Sequence, residues 1–299
     1  MSGAIRKVAL AGATGNLGPA ILEQLIAADF QVTVLTRQGS NHSLPSSASV
    51  SHVDYDSVSS IAKALQGQDA VVSTLGDAAQ GRQLNLVEAA AQAGVKRFIP
   101  SEFGSNTVNS KAAALPCYGN KVAVQKALEE KARQSGGMTY TLIMNGPFLD
   151  WGIMVGFVLN PKNREATLYN GGRNVFSTTT LPTIGKAVAG VLHHPAETKN
   201  RPVYVQDTAT TLEALTKLGE RVTGQSWTKK QVNIDDVLAE GWAELKKPNP
   251  DPHLFAIKFI TAAIWGEGTG SHFTELDNDL LGIKELTEKE LEALVARYA

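Results

Sequence analysis

The sequence predicts an α/β protein built on a doubly wound parallel sheet, joined to a smaller α+β portion. Three observations carry this. Through the first half, short apolar strand-like runs alternate with helical runs of roughly ten to fifteen residues, the pattern of a parallel sheet covered on both faces. Three glycines, Gly12, Gly15 and Gly18, lie between the first strand and the first helix. The second half loses this regularity. A chain of 299 residues has room for one large domain or two modest ones.

The elements follow in order. Lys7 to Ala11 is a short apolar strand. Pro19 to Ala28 has helical spacing, with Ile21, Leu22, Leu25 and Ile26 on one side. Gln31 to Leu35 is a second strand, the Ser-rich stretch 40–49 a loop, and Ser49 to Val53 a third strand. Ser57 caps a helix reaching Gln66. Asp69 to Leu75 and Val95 to Pro100 are strands flanking a helix over 80–93. Tyr118 to Gln134 is a long helix and Tyr140 to Met144 a sixth strand. Beyond these, Gly171-Gly172 suggests a hairpin within 168–180. Helices are expected over 182–193, 212–222 and 255–265, with a strand over 201–206 between them. Thr287 to Glu290 has the capping-box pattern of a final helix.

Composition narrows the function. The chain is 43% hydrophobic and 19% charged, which fits a sizeable core and excludes fibrous and disordered classes. One cysteine, Cys117, cannot form an internal disulfide, so a reducing, cytoplasmic setting is expected. The net charge is -1, with no basic run for nucleic acid or a membrane surface. No apolar run approaches the ~18 residues of a membrane span, and no signal-peptide pattern fits the start. No HxxxH or HExxH pattern suggests a metal site.

The segment Gly12-Ala13-Thr14-Gly15-Asn16-Leu17-Gly18 has the context of a dinucleotide fingerprint, in GxxGxxG spacing. Early glycines permit a tight turn and close approach of a phosphate, Gly18 lets the helix pack against the sheet, and the helix amides face the pyrophosphate. This is the Rossmann NAD(P)-binding arrangement. At the end of the second strand no acid is present to hold ribose hydroxyls. Arg37 stands there instead, placed to pair with a 2′-phosphate, which favours NADPH over NADH. Ser40 and Asn41 are weaker phosphate contacts. Asp54 is expected near the adenine, and Leu75, Gly76, Asp77 and Gln80 along the cofactor backbone.

The Tyr-Lys pair at a spacing of four, used by many reductases of this fold, is absent. The nearest pattern is Tyr118-Gly119-Asn120-Lys121. Lys121 could hold a ribose hydroxyl or pass a proton to a substrate oxygen, the second role needing a desolvated amine. Spacing alone does not separate it from Lys126 and Lys131. Ser101 and Phe103 follow the fifth strand, where cofactor and substrate meet in such folds. Glu102 there is an alternative acid or base. Asn145, Phe148 and Trp151 follow the sixth strand and are candidates to line a pocket for a flat, apolar substrate.

Four stretches together resemble one family: Gly12 to Gly18; Lys96-Arg97-Phe98-Ile99-Pro100-Ser101-Glu102-Phe103-Gly104; Tyr118 to Glu129; and Tyr140 to Phe148. The chain resembles the NmrA-like and isoflavone-reductase-like atypical short-chain dehydrogenases/reductases, which include pinoresinol-lariciresinol and phenylcoumaran benzylic ether reductases. It looks most like their fungal branch. The resemblance implies an NADP(H)-binding domain over 1–155 with 174–208 packed on it, and a substrate-binding domain over 156–173 and 209–299. It implies Lys121 as the catalytic general acid/base and Arg37 as the reader of the 2′-phosphate. A second basic residue that the family often places shortly after this arginine is missing. Ser40, Asn41 and His42 occupy the region. The implied activity is NADPH-dependent reduction of a small aromatic secondary metabolite, by a chain for which a homodimer is compatible. The same group holds dinucleotide-sensing regulators that act through protein contact, several of which lack the lysine.

Overall fold

The structure, a computed structural model, describes residues 4–40, 43–134 and 137–299, without the side chains of 77 and 78. Its centre is a seven-stranded parallel sheet. The strands are β1 (Lys7–Ala11), β2 (Gln31–Arg37), β3 (Ser49–Val53), β4 (Ala70–Ser73), β5 (Arg97–Ile99), β6 (Thr139–Met144) and, after β7 (Glu165–Tyr169) and β8 (Phe176–Thr178), β9 (Arg201–Tyr204). Their order is β3-β2-β1-β4-β5-β6-β9. The chain winds outward from β1 in both directions, so the crevice of the fold opens where β1 and β4 part, at their carboxyl ends.

Alternation along each strand divides the core. Val8 and Leu10 of β1, Val34 of β2 and Val72 of β4 face one side. There they meet α1 (Gly18–Ala27) and α7 (Leu181–His193). Ala9, Ala11, Leu35 and Val71 face the other side, against α2 (Val58–Ala64), α3 (Gln83–Gln92) and α5 (Gly119–Arg133). Both faces are covered at the inner strands β1 and β4, which is why these read as near-continuous apolar runs, whereas the edge strand β3 is largely exposed. Ser57 caps α2 by accepting the Ser60 amide at 3.2 Å.

A third apolar cluster lies apart from the sheet. It gathers α6 (Leu149–Met154), β7, α8 (Leu212–Thr223), α10 (Pro252–Trp265) and α11 (Glu288–Ala296) around Trp265. The capping box at Thr287 and Glu290 is formed. The expected hairpin around Gly171-Gly172 is not. β7 pairs in parallel with β11 (Thr228–Val232), and β8 pairs antiparallel with β10 (Thr208–Thr210). Both glycines have positive φ, and a Cβ on Gly172 would crowd Leu168 and the Glu213 amide. The turn therefore packs against α8 and sends its two strands to different partners. Three helices, α4 (Ser110–Ala113), α6 and α9 (Ile234–Leu245), are not among the expected elements. No helix of the described residues is long and apolar enough to cross a membrane.

Candidate active site

The glycine turn is shaped by three different constraints. Gly12 has φ +84°, and a Cβ there would lie 2.7 Å from both the carbonyl and the hydroxyl oxygen of Thr74. Thr74 is fixed by donating its amide and its hydroxyl to the Ala11 carbonyl, at 2.8 and 2.9 Å. A Cβ on Gly18 would collide with the Gly12 carbonyl and the Ala13 backbone, so this glycine lets the helix meet the turn itself rather than the sheet. Gly15 is different: the nearest atom to its Cβ would be the Gly12 oxygen at an ordinary 3.5 Å. The protein's own packing does not require glycine at 15, so the bare backbone faces the cleft. Leu17 precedes α1 without a side-chain cap. A bare backbone beside an uncapped helix N-terminus fits a pyrophosphate.

Two hollows meet around this turn. One, of about 260 Å³, is walled by Gly12, Thr14, Thr36, Arg37, Ser40, Tyr55 and Arg82. Arg37 is exposed at the end of β2, and among the described residues no carboxylate pairs with its guanidinium. Tyr55 closes the floor by donating its hydroxyl to the Leu35 carbonyl at 3.0 Å. Burial pushes its phenol pKa up, against the smaller opposing effect of Arg37. Asp54, expected here, does not line the hollow. Its carboxylate accepts the Asp56 amide at 2.9 Å, closing a local turn, and that turn presents Tyr55 instead. Asn41, His42 and the Asp77 side chain lie outside the described residues.

The second hollow, of about 480 Å³, is lined by Gly15, Asn16 and Leu17, by Leu75, Gly76, Gln80 and Ser101, and by a set of apolar side chains. Ser101 is held by both ends, its hydroxyl donating to the Leu75 carbonyl at 2.9 Å and its amide to Gln83 at 2.8 Å. Phe103, Phe148 and Trp151 all line it, the last two in edge-to-face contact at 6.4 Å. Asn145 does not line it. The side chain is fully buried, donates to the Gly146 carbonyl at 2.7 Å and sits behind the floor, where Thr179 donates to its backbone oxygen at 2.6 Å. Gly146, with φ +66°, abuts Ser177 so closely that no side chain fits.

Lys121, in the first turn of α5, lines the same hollow. Its ammonium donates to the Glu102 carbonyl and lies 5.7 Å from the centre of the Tyr118 ring. Tyr118 donates its hydroxyl to Ser105 at 2.7 Å. Lys126 is exposed on the same helix, and Lys131 pairs with Glu88 at 2.6 Å. The structure thus separates three lysines that spacing does not. Glu102 is turned away: its carboxylate is buried and accepts from Thr107 at 2.5 Å.

Sequence reasoning missed one entire wall. His253, Ala256, Ile257, Ile260 and Ile264 of α10 close the pocket, with Phe157 beside them. The signal was present in the spacing: 253, 257, 260 and 264 fall on one helix face. What it faced was decided by the chain's return from the third core.

A sheet wound in this order, with a bare glycine at the first turn, defines a dinucleotide-binding α/β protein, here with an apolar-lined hollow at that turn. The profile of the NmrA-like family matches residues 5–248. The chain belongs to the NmrA-like family. It is 32% identical to an Aspergillus flavus protein named oxidoreductase aprR, over 97% of both chains. It is 30% identical to oxidoreductase poxI of Penicillium oxalicum, over 97% of this chain and 93% of the relative. The fold is similar to a solved binary complex of leucoanthocyanidin reductase with NADPH from Vitis vinifera, with TM-score 0.79, 22% identity, and 98% and 99% of the two chains covered.

Proposed function

We propose that this oxidoreductase uses NADP(H) to reduce a small aromatic metabolite, with Lys121 serving the substrate oxygen. The observation that carries the reading is that Lys121 lines the same hollow as the glycine turn and the apolar side chains. The oxidoreductase names of the fungal relatives and the NADPH held by the plant structure support it.

When bound, the cofactor supplies a hydride. The chain's residues do the rest. Gly15, Asn16 and Leu17 would hold the pyrophosphate at the α1 N-terminus, and Arg37 the 2′-phosphate. Phe103, Phe148, Trp151 and the α10 face exclude water from the reacting carbon and favour a flat, apolar body. The Lys121 ammonium, tethered to the Glu102 carbonyl, keeps donors free for the substrate oxygen and holds a proton there as negative charge develops. The acceptor carbon is electrophilic: a carbonyl, an enone or a quinone-methide-like centre.

The test is Lys121→Ala, assayed by NADPH oxidation against aromatic ketones, enones and benzylic ethers, beside a cofactor titration. Turnover should fall by ~10²–10⁴-fold, the usual worth of a positioned acid or base, with NADPH affinity held within a few-fold. Undiminished turnover would remove Lys121 from the chemistry. A wild type that binds NADPH and reduces nothing would return the weight to a regulator acting through protein contact.

A further inference from the structure

The hollow at the end of β2 holds a second cation that does not come from the β2 loop. Directly after Arg37 the chain runs Gln38, Gly39, Ser40, with no basic residue. Arg82 arrives instead from the far side of β4. It ends the short 3₁₀ turn Asp77–Arg82 and lines the same hollow as Arg37, Thr14 and Ser40.

Its guanidinium is oriented before any ligand enters. Nε donates to Asp56 Oδ1 at 2.9 Å and Nη2 to Asp56 Oδ2 at 3.1 Å. This two-point pairing fixes the plane of the group, and among the described residues Nη1 makes no hydrogen bond. Asp56 is itself placed by donating its backbone amide to the Asp54 carboxylate. The neighbouring Tyr55 carbonyl accepts from Asn85 of α3 at 3.1 Å, tying the two walls together. An exposed ion pair contributes little to stability, so the pair's placement on a ligand-sized hollow calls for another role.

We propose that Arg82, held by Asp56, is a specificity-determining residue that pairs with the adenosine 2′-phosphate from the side opposite Arg37. The proposal rests on the NADP(H) reading above. A phosphate monoester offers enough oxygens for two guanidinium groups, and the two arginines approach from different elements. The Asp56 carboxylate also makes Arg82 necessary: without the arginine, an unpaired anion would stand on the rim of a phosphate site.

The experiment is a set of binding titrations on the full chain with NADPH, NADH, 2′,5′-ADP and 5′-AMP. The wild type should prefer NADPH to NADH and 2′,5′-ADP to 5′-AMP. Arg82→Gln should lower both preferences by about tenfold, leaving NADH and 5′-AMP affinity within about twofold. Unchanged NADH binding also reports an intact fold. Arg82→Lys should recover part of the preference, because the charge returns without the fixed plane. Adding Asp56→Asn to Arg82→Gln should recover part of it by removing the unpaired anion. Unchanged preference in Arg82→Gln, or an equal loss for all four ligands, would overturn the proposal while the NADP(H) reading stands. A wild type with no preference would overturn both.

Discussion

The two ends of the central sheet treat their buried polar groups in opposite ways. At the amino end, Arg97 begins β5 fully buried and, among the described residues, without a carboxylate partner. Its guanidinium donates to the hydroxyls of Thr139, Thr141 and Thr198 at 2.8–3.0 Å and to the Pro195 carbonyl at 2.5 Å. Burial pulls its pKa down to about 10, and the hydrogen bonds offset much of that desolvation. Nearby, Asp69 joins three segments, accepting the Arg6 and Lys7 amides at 3.0 Å and the Lys96 ammonium at 2.7 Å. At the carboxyl end, Ser73 Oγ, Gln83 Nε2, Glu102 Oε1 and Asn145 Oδ1 are buried with no partner among the described residues. Gln68 Oε1 is the exception at the amino end. One end binds the chain together. The other keeps unmet polar capacity beside the cleft, where a function tolerates what stability alone would remove.

The contrast is broken hardest at the glycine turn. Gly18→Val should lower dinucleotide affinity by at least ~100-fold, about 2.8 kcal/mol, and lower the melting temperature, because its side chain must displace the Gly12 and Ala13 backbone. Titration and thermal unfolding read both, and near-normal binding would mean that the turn yields cheaply.

Next comes the amino end. Arg97→Met removes the guanidinium donors that three threonine hydroxyls and the Pro195 carbonyl accept from, and we expect a loss of about 2–4 kcal/mol in urea unfolding. Dinucleotide affinity should stay within about twofold, since the residue lies away from the cleft. A variant that lost affinity with its stability intact would undo the division between the two ends.

Asp69→Asn is smaller, about 1–2 kcal/mol at neutral pH. Burial pushes this carboxyl up, but the Lys96 ammonium and the Lys7 and Arg6 amides together outweigh burial and hold it below its ordinary 3.8. Its contribution is therefore fully present above pH 3.8 and is lost as pH falls through the lowered folded-state value. Unfolding free energies of wild type and variant should converge on acidification below that point. A gap that did not narrow would assign the stabilisation to something other than the charge.

Ser73→Ala is the smallest and the most pointed. Deleting a buried hydroxyl without a partner should change stability by no more than about 0.5 kcal/mol, and can raise it. A loss above about 1.5 kcal/mol would give that hydroxyl a partner and erase one of the four unmet groups.

The amino-acid sequence by itself determined the parts of this protein that depend on neighbours along the chain. The strand runs of the first half, Ser57 as a cap, the Thr287–Glu290 box and the glycine turn are local: their physics is periodicity, φ preference and hydrogen bonds reaching three residues away. Lys121 needed the family resemblance as well, because a lysine on a helix looks the same whether it faces solvent or a cleft. Tertiary structure alone decided the rest. It sent β7 and β8 to separate partners, turned Asn145 inward and Asp54 into a turn, and brought α10 to the wall of the pocket and Arg82 to the hollow that Arg37 lines. Those outcomes depend on which distant surfaces bury one another, and burial is a property of the packed chain that no window of sequence contains.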